Sequence, residues 1–386
     1  MKSITIGDAC EVLNGYAFKS EKYIESGIRV IRISNVQKGY IEDNTPAFYP
    51  IDSTGLEKYM LEENDLLISL TGNVGRVALL SKDFLPAALN QRVACLRLKT
   101  DKITKGYLYH ILNSDFFEQQ CVNSSKGVAQ KNMSTEWLKE YSIPLYSIKK
   151  QTEISSILDA VQLIISKRKI QLIKLDEIIK ARFVEMFGDP IINPKGWKIV
   201  TVGDVVTDVR YGTSKPAVEG GKYPYLRMNN LTIDGHLDLT NLKYIDIPDD
   251  EIEKCVVRKG DILFNRTNSV ELVGKTAVFD LSEEMIIAGY IIRVRLKDVL
   301  LPEVFGQFMN LEVMKKTLRG MAKGAVNQAN INAQELQSIN IYLPDISLQK
   351  EFVKIKEQVD KSKVVIQKHL EKAQLLFDSL MQEYFG

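Results

Sequence analysis

The sequence predicts an α+β chain: two similar mixed α/β modules joined by two long helices that pack on each other, with pseudo-twofold symmetry. Three observations lead there. The stretches Gln151–Gly188 and Gln349–Gly386 are equally long, begin 198 residues apart, contain neither Pro nor internal Gly, and both close on Phe-Gly. As helices they would each span about 57 Å at ~1.5 Å per residue. The segments before them share anchors in the same order, at offsets between 196 and 199: Ile6-Gly7-Asp8 with Val202-Gly203-Asp204, Asp65-Leu66-Leu67 with Asp261-Ile262-Leu263, Gly75-Arg76 with Gly274-Lys275, and Asn132 with Asn330. Each long stretch also carries an apolar seam in steps of three and four, which needs a partner helix.

Four segments follow in order: a first module over 1–150, a long helix over 151–188, a second module over 189–346, and a long helix over 347–386. In the first module Val30–Ile33, Leu66–Ile68 and Val93–Leu98 are strand-like, with turn signals at Asn14-Gly15, Thr71-Gly72-Asn73 and Lys126-Gly127. The second repeats this with Tyr225–Met228, Asp261–Phe264 and Ile291–Leu296. One short helix is predicted in each, around Gly106–Cys121 and Pro302–Leu318. The first seam runs through Ile154, Leu158, Val161, Ile165, Leu172, Leu175 and Ile179, interrupted by Arg168. The second runs through Phe352, Ile355, Val359, Ile366, Leu370, Ala373, Phe377 and Leu380.

Composition narrows the class. At 386 residues with 45% hydrophobic and 26% charged content, the chain suits two globular domains. It has no apolar run of membrane-spanning length and no basic-then-apolar leader, so a cytoplasmic protein without a membrane role is expected. Cys10, Cys95, Cys121 and Cys255 lie far apart and form no CxxC, which fits buried reduced thiols. His110, His236 and His369 lack ligand-like spacing, so no metal site is expected. The net charge is +2, with +2, +1, −2 and +1 over the four segments. Bulk charge therefore does not hold a nucleic acid; basic residues would have to gather on one face, or a partner would contribute charge.

Enzyme signatures fail. Gly274-Lys275-Thr276 resembles the end of a phosphate loop, but Ser269 stands where that loop requires Gly. There is no Pro-Pro pair, as an amino-methyltransferase signature needs, no acidic-x-Lys triplet of a metal nuclease, and no Gly-x-Gly-x-x-Gly. Phe187-Gly188-Asp189-Pro190 reads as a helix stopped by Gly and then Pro. No catalytic residue, metal or cofactor is expected in this chain.

Polar loop chemistry remains. After strand-like runs the first module offers Thr71, Asn73 and Arg76, then Asn90-Gln91-Arg92, then Lys126 and Gln130. The second offers Tyr211, Thr213, Ser214 and Lys215, then Arg227, Asn229 and Asn230, then Arg266-Thr267-Asn268-Ser269 and Lys275, then Lys323 and Gln328. Arg fits guanine bidentately, Asn and Gln fit adenine, and Ser, Thr and Lys fit phosphate. Any one of these loops is an ordinary surface turn; their recurrence in both modules points to DNA.

The whole chain resembles the specificity subunit of a type I restriction–modification enzyme. The resemblance rests on the two modules, the two equal helices, Asn193-Pro194-Lys195-Gly196-Trp197, Asp261–Ser269, Glu271–Lys275 and Met186-Phe187-Gly188-Asp189. It implies that each module is a target-recognition domain for one half of a split duplex DNA sequence. It implies that the helices form an antiparallel coiled coil that acts as spacer and docking site for two methyltransferase subunits, which bind S-adenosylmethionine and methylate adenine, joined by motor-nuclease subunits. A specificity subunit of a related non-type-I system, or a coiled-coil adaptor between two protein partners, are the alternatives.

Overall fold

The computed structural model describes residues 2–125, 131–325 and 328–386, with the backbone alone at 323–325 and 328. Contacts group the chain into two compact units, Met1–Lys169 with Lys368–Gly386, and Ile170–Gln367. Each long helix thus contributes one part to each unit.

The helices run Ile148–Phe187 and Ile346–Phe385, forty residues each. Both begin three residues ahead of the Gln that opens the sequence repeat, and the structure explains that Gln. Gln151 and Gln349 are fully buried. The Gln151 amide donates to the carbonyls of Lys102 and Tyr146 (2.9 Å each) and accepts from the Thr104 N–H at 2.8 Å. Gln349 donates to Val299 (3.0 Å) and Pro344 (2.8 Å) and accepts from the Leu301 N–H at 2.9 Å. Each amide thus ties the start of a long helix to the loop that opens a short one, Lys105–Leu112 or Pro302–Met309. Gln349→Ala would leave three main-chain groups unpaired in a buried place. It should cost about 2–3 kcal/mol, read as a lowered urea midpoint of unit 2; an unchanged midpoint contradicts this role.

The first helix ends as the sequence implies. Gly188 takes φ +86°, and its N–H returns to the Val184 carbonyl at 2.8 Å. The Asn193–Trp197 stretch closes over that end: Asn193 and Trp197 exchange two hydrogen bonds, and the Trp197 indole N–H donates to the Phe187 carbonyl at 2.9 Å.

In unit 1, Ile154 and Leu158 from the start of the first helix share a core with Phe385 from the end of the second, with Phe377 and Leu380 against it. In unit 2, Ile179, Phe183 and Phe187 from the end of the first share a core with Phe352 from the start of the second. Start meets end in both units, which is antiparallel packing. Burial along the seam is uneven: Ile154, Leu158, Val161, Ile165, Ile179 and Phe352 are buried, whereas Leu172, Leu175, Val359, Ile366, Leu370 and Phe377 are half-buried.

Each unit contains the same sheet. Cys10–Asn14, Val93–Leu98, Leu66–Ser69 and Val77–Leu79 lie side by side in that order in unit 1; Val206–Tyr211, Ile291–Leu296, Ile262–Asn265 and Thr276–Val278 do so in unit 2. All pairs are antiparallel. Each unit also has a second, mixed sheet, of three strands in unit 1 and four in unit 2: Ile28–Ile31 pairs parallel with Ala87–Leu89, as Tyr223–Leu226 does with Met285–Ile287. The short helix expected in each module is two. Lys105–Leu112 and Asp115–Ser124 are broken at Asn113, and Pro302–Met309 and Glu312–Met321 at Asn310. In unit 1 the break has a visible cause, since Ser114 caps the second helix by accepting from the Phe117 N–H.

Among the described residues no helix is long and apolar enough to cross a membrane, and no cluster of His, Cys, Asp or Glu could hold a metal.

Candidate nucleic-acid interface

The candidate loops hang on hydrogen bonds that occur in both units. Thr71 donates to Asn132 (3.3 Å), as Thr267 does to Asn330 (2.9 Å). Asn35 accepts from the Arg32 N–H and donates to the Glu42 carbonyl; Asn230 accepts from the Arg227 N–H and donates to the Asp238 carbonyl. The Arg32 and Arg227 guanidinium groups each reach forward to a later carbonyl, Thr45 and Asn241. Asp65 pairs with Arg97, and Asp261 with Arg295. Gly75 and Gly274 both take φ +82°, and a Cβ there would come within 2.7 Å of Cys121 or Leu318. These bonds fix loop shape irrespective of what the loops touch.

Two residues expected at the interface belong to this scaffold. Asn230 is buried and bonded as above. Lys275 is 8% exposed, and its ammonium donates to the carbonyls of Met228 (2.6 Å) and Leu231 (2.5 Å). Burial lowers its pKa. Neither side chain can reach DNA without breaking the loop, so both are reassigned to structure. Thr267 is likewise buried. Asn268 donates to Asn265 at 2.8 Å and accepts from the Ser269 N–H.

In unit 2 six other candidates converge. Thr213, Ser214, Lys215, Arg227, Asn229 and Arg266 line one cleft of about 480 Å³ together with Tyr225 and Tyr290. Lys215 pairs with Glu251 at 2.9 Å. The Arg266 guanidinium lies over the Tyr211 ring, 4.9 Å from its centre. The Tyr211 hydroxyl accepts from the Ala333 N–H at 2.9 Å.

In unit 1 Asn73, Gln91 and Arg92 are exposed, and Thr71, Arg76 and Asn90 half-buried. Arg76 donates to Gln37, and Asn90 accepts from the Arg92 N–H at 3.2 Å. By the repeat, Tyr16, Ala17 and Phe18 stand where unit 2 has Thr213, Ser214 and Lys215. Tyr16 packs on Phe18 (5.0 Å) and Tyr59 (5.3 Å), and Phe18 on Tyr49 (4.9 Å). The sequence reading passed over Tyr16, Phe18 and Arg32; matching Arg32-Ile33-Ser34-Asn35 to Arg227-Met228-Asn229-Asn230 would have found the last. Lys126 and Gln130 lie outside the described residues, as do the side chains of Lys323 and Gln328.

The four cysteines are free and buried. Burial pushes the Cys10 and Cys121 thiols up to about 12 and raises Cys95 and Cys255, which disfavours the thiolate. His110 is buried, with its Nε2 2.7 Å from Asp159, and burial lowers its pKa despite that carboxylate. In unit 2 burial pushes the Asp176 carboxyl up, but His236 and Lys363 beside it outweigh this and hold it at about 2.

The sequence profile described as "Type I restriction modification DNA specificity domain" matches residues 1–175 and again 194–375. The specificity subunit of the type I restriction enzyme EcoKI from Escherichia coli K12 is 23% identical over 394 residues, 96% of this chain and 84% of that protein. That of EcoBI from Escherichia coli is 25% identical over 411 residues, 98% and 83% respectively. Among solved structures, the S subunit of a type I system from M. genitalium superposes with a TM-score of 0.59 at 15% identity, covering 100% of this chain and 96% of that one. A second, solved in work on assembly and conformational transition of the type I system, gives 0.57 at 18% identity, covering 100% and 97%. These two likenesses establish the fold.

Proposed function

Since the chain belongs to the type I restriction–modification DNA specificity family, we propose that it reads a bipartite duplex DNA sequence, one half with each repeat. One observation carries this. The two repeats share the bonds that shape their loops and differ in the side chains at matching places: Thr213, Ser214, Lys215 and Arg266 in one, Tyr16, Ala17, Phe18 and the buried Leu70 in the other. Like scaffolds with unlike faces suit two readers of unlike half-sites.

The chain acts without chemistry of its own. Methyl transfer from S-adenosylmethionine falls to two methyltransferase subunits, and cleavage to motor-nuclease subunits. The methyltransferase subunits dock on the long helices, whose outer faces leave Leu163, Ile164, Leu375 and Leu376 exposed in unit 1 and Ile170, Ile173, Val364 and Val365 exposed in unit 2. Those subunits also add the positive surface that a chain of net charge +2 lacks.

Binding by the assembled complex tests this against the adaptor alternative. A cognate duplex should bind at least about 10³-fold more tightly than random duplex at the same salt. Assembly with protein partners but no duplex preference would favour the adaptor. Arg92 is exposed and makes no side-chain bond with the described residues. As a phosphate contact, Arg92→Ala should weaken all duplexes alike and reduce the slope of log K against log salt by about 0.9. An unchanged slope removes Arg92 from the interface.

A further inference from the structure

We propose that Arg266 reads one guanine in the half-site of the second repeat, and that Tyr211 is the positioning residue that aims it. The inference rests on the DNA-reading function above and goes beyond it by naming a base and the pair of side chains that selects it.

The backbone at Arg266 is held on both sides: its N–H donates to the Tyr290 carbonyl and its carbonyl accepts from the Ile331 N–H, each at 2.9 Å. From there the side chain enters the cleft. It makes no hydrogen bond or ion pair with any described residue, and its Nε is buried without a partner. Its one contact of note is the Tyr211 ring, which covers a face of the guanidinium and leaves the edge free. That ring is itself fixed at both ends. Tyr211 closes the strand Val206–Tyr211, in register with Ile292, and its hydroxyl accepts from the Ala333 N–H. A planar fork held by one face is a pre-organised bidentate donor.

The surroundings narrow what it donates to. The cleft wall contains Lys215, Arg227 and Arg266 and no carboxylate; Glu251 pairs with Lys215 and the Asn241 carbonyl takes the Arg227 guanidinium, which leaves Arg266 as the cation without a polar partner among the described residues. Its occupant should therefore present acceptors. In the major groove guanine presents two adjacent acceptors, O6 and N7, whereas adenine pairs one acceptor with one donor. The reader is confined to one repeat. Leu70 stands at the position of Arg266 and Asn14 at that of Tyr211, and Leu70 is buried. Position 266 therefore varies while the bonds around it recur, as a specificity determinant should. A phosphate could also engage a guanidinium edge, and the test separates the two.

The complex assembled with its methyltransferase subunits is used throughout. Once the motif is known, each guanine of the second half-site is replaced singly by 7-deazaguanine, which keeps base pairing and removes the N7 acceptor. One position should lose about 10-fold in affinity, the size of one hydrogen bond from a charged donor. Arg266→Ala, which removes both bonds, should lose about 10–100-fold and become indifferent to 7-deazaguanine there, and Arg266→Lys should not restore it. Tyr211→Leu should lose discrimination at that same position, and Tyr211→Phe should keep most of it. The first half-site should be unaffected. The inference is overturned by a second half-site without guanine, by the absence of any 7-deaza-sensitive position, or by an Arg266→Ala loss shared by all sequences with a reduced salt slope. The 7-deazaguanine series uses the unaltered protein, so it decides even where a variant misfolds. Selectivity kept at the first half-site in any of these cases leaves the broader function intact; no selectivity anywhere overturns both.

Discussion

Phe352→Ala should destabilise unit 2 by about 3–5 kcal/mol, the usual cost of deleting a buried phenyl ring. Phe352, Phe183 and Phe187 are all fully buried, with ring centres 4.8–5.6 Å apart. Phe352 is the second helix's contribution to that cluster, so its loss removes packing and leaves a cavity where the two helices meet. The chain has two tryptophans, Trp137 in unit 1 and Trp197 in unit 2. In a Trp137→Phe background, Trp197 fluorescence reports unit 2 alone, and its indole touches the end of the first helix at Phe187. The urea midpoint should fall by an amount matching that cost, and Phe352→Leu should recover most of it. A midpoint within error of the parent would mean that the helices contribute little to unit 2.

Lengthening both long helices by seven residues should lengthen the unspecified gap of the DNA motif by about three base pairs and leave both half-sites unchanged. Seven helical residues add about 10.5 Å, and one base pair occupies about 3.4 Å. The site of insertion matters. Near Ser155 it would fail for local reasons, since Ser155 is buried, bonds the Gln151 carbonyl at 2.8 Å and lies against Gly106. Paired insertions after Lys169 and Gln367 fall where the chain passes between units, amid half-buried seam residues. Seven residues return each seam to the same face. The check is the methylated motif of the lengthened complex. An active complex with an unchanged gap would show that the helices do not set spacing.

The repeat was legible in the sequence because it is written in residues whose jobs cannot be delegated. The buried Gln that opens each long helix, Gly75 and Gly274 at positive φ, and the aspartates that pair with Arg97 and Arg295 all stand at matching places. The strands Val93–Leu98 and Ile291–Leu296 are readable to the residue, because short apolar runs there cross the centre of a sheet. What could not be read was which polar side chain faces outward. Lys275 and Asn230 have the composition of DNA contacts, yet their partners are backbone carbonyls brought close only by tertiary folding. Periodicity gave the seams but not their depth. Leu172 and Leu175 continue the pattern of Ile179 and are less buried, because no module core lies against that stretch. The helix breaks at Asn113 and Asn310 leave no signal in the sequence, because both residues fall within apolar helical patterns.

The most direct test of the central claim is single-molecule methylation sequencing of DNA exposed to this chain assembled with its methyltransferase subunits. Two short, unlike half-sites separated by a fixed run of unspecified bases should be methylated. Altering the cleft of the second repeat, as in Lys215→Ala with Asn229→Ala, should change one half-site and leave the other untouched. A continuous motif, a symmetric one, or loss of both half-sites together from that change would contradict reading by two independent repeats.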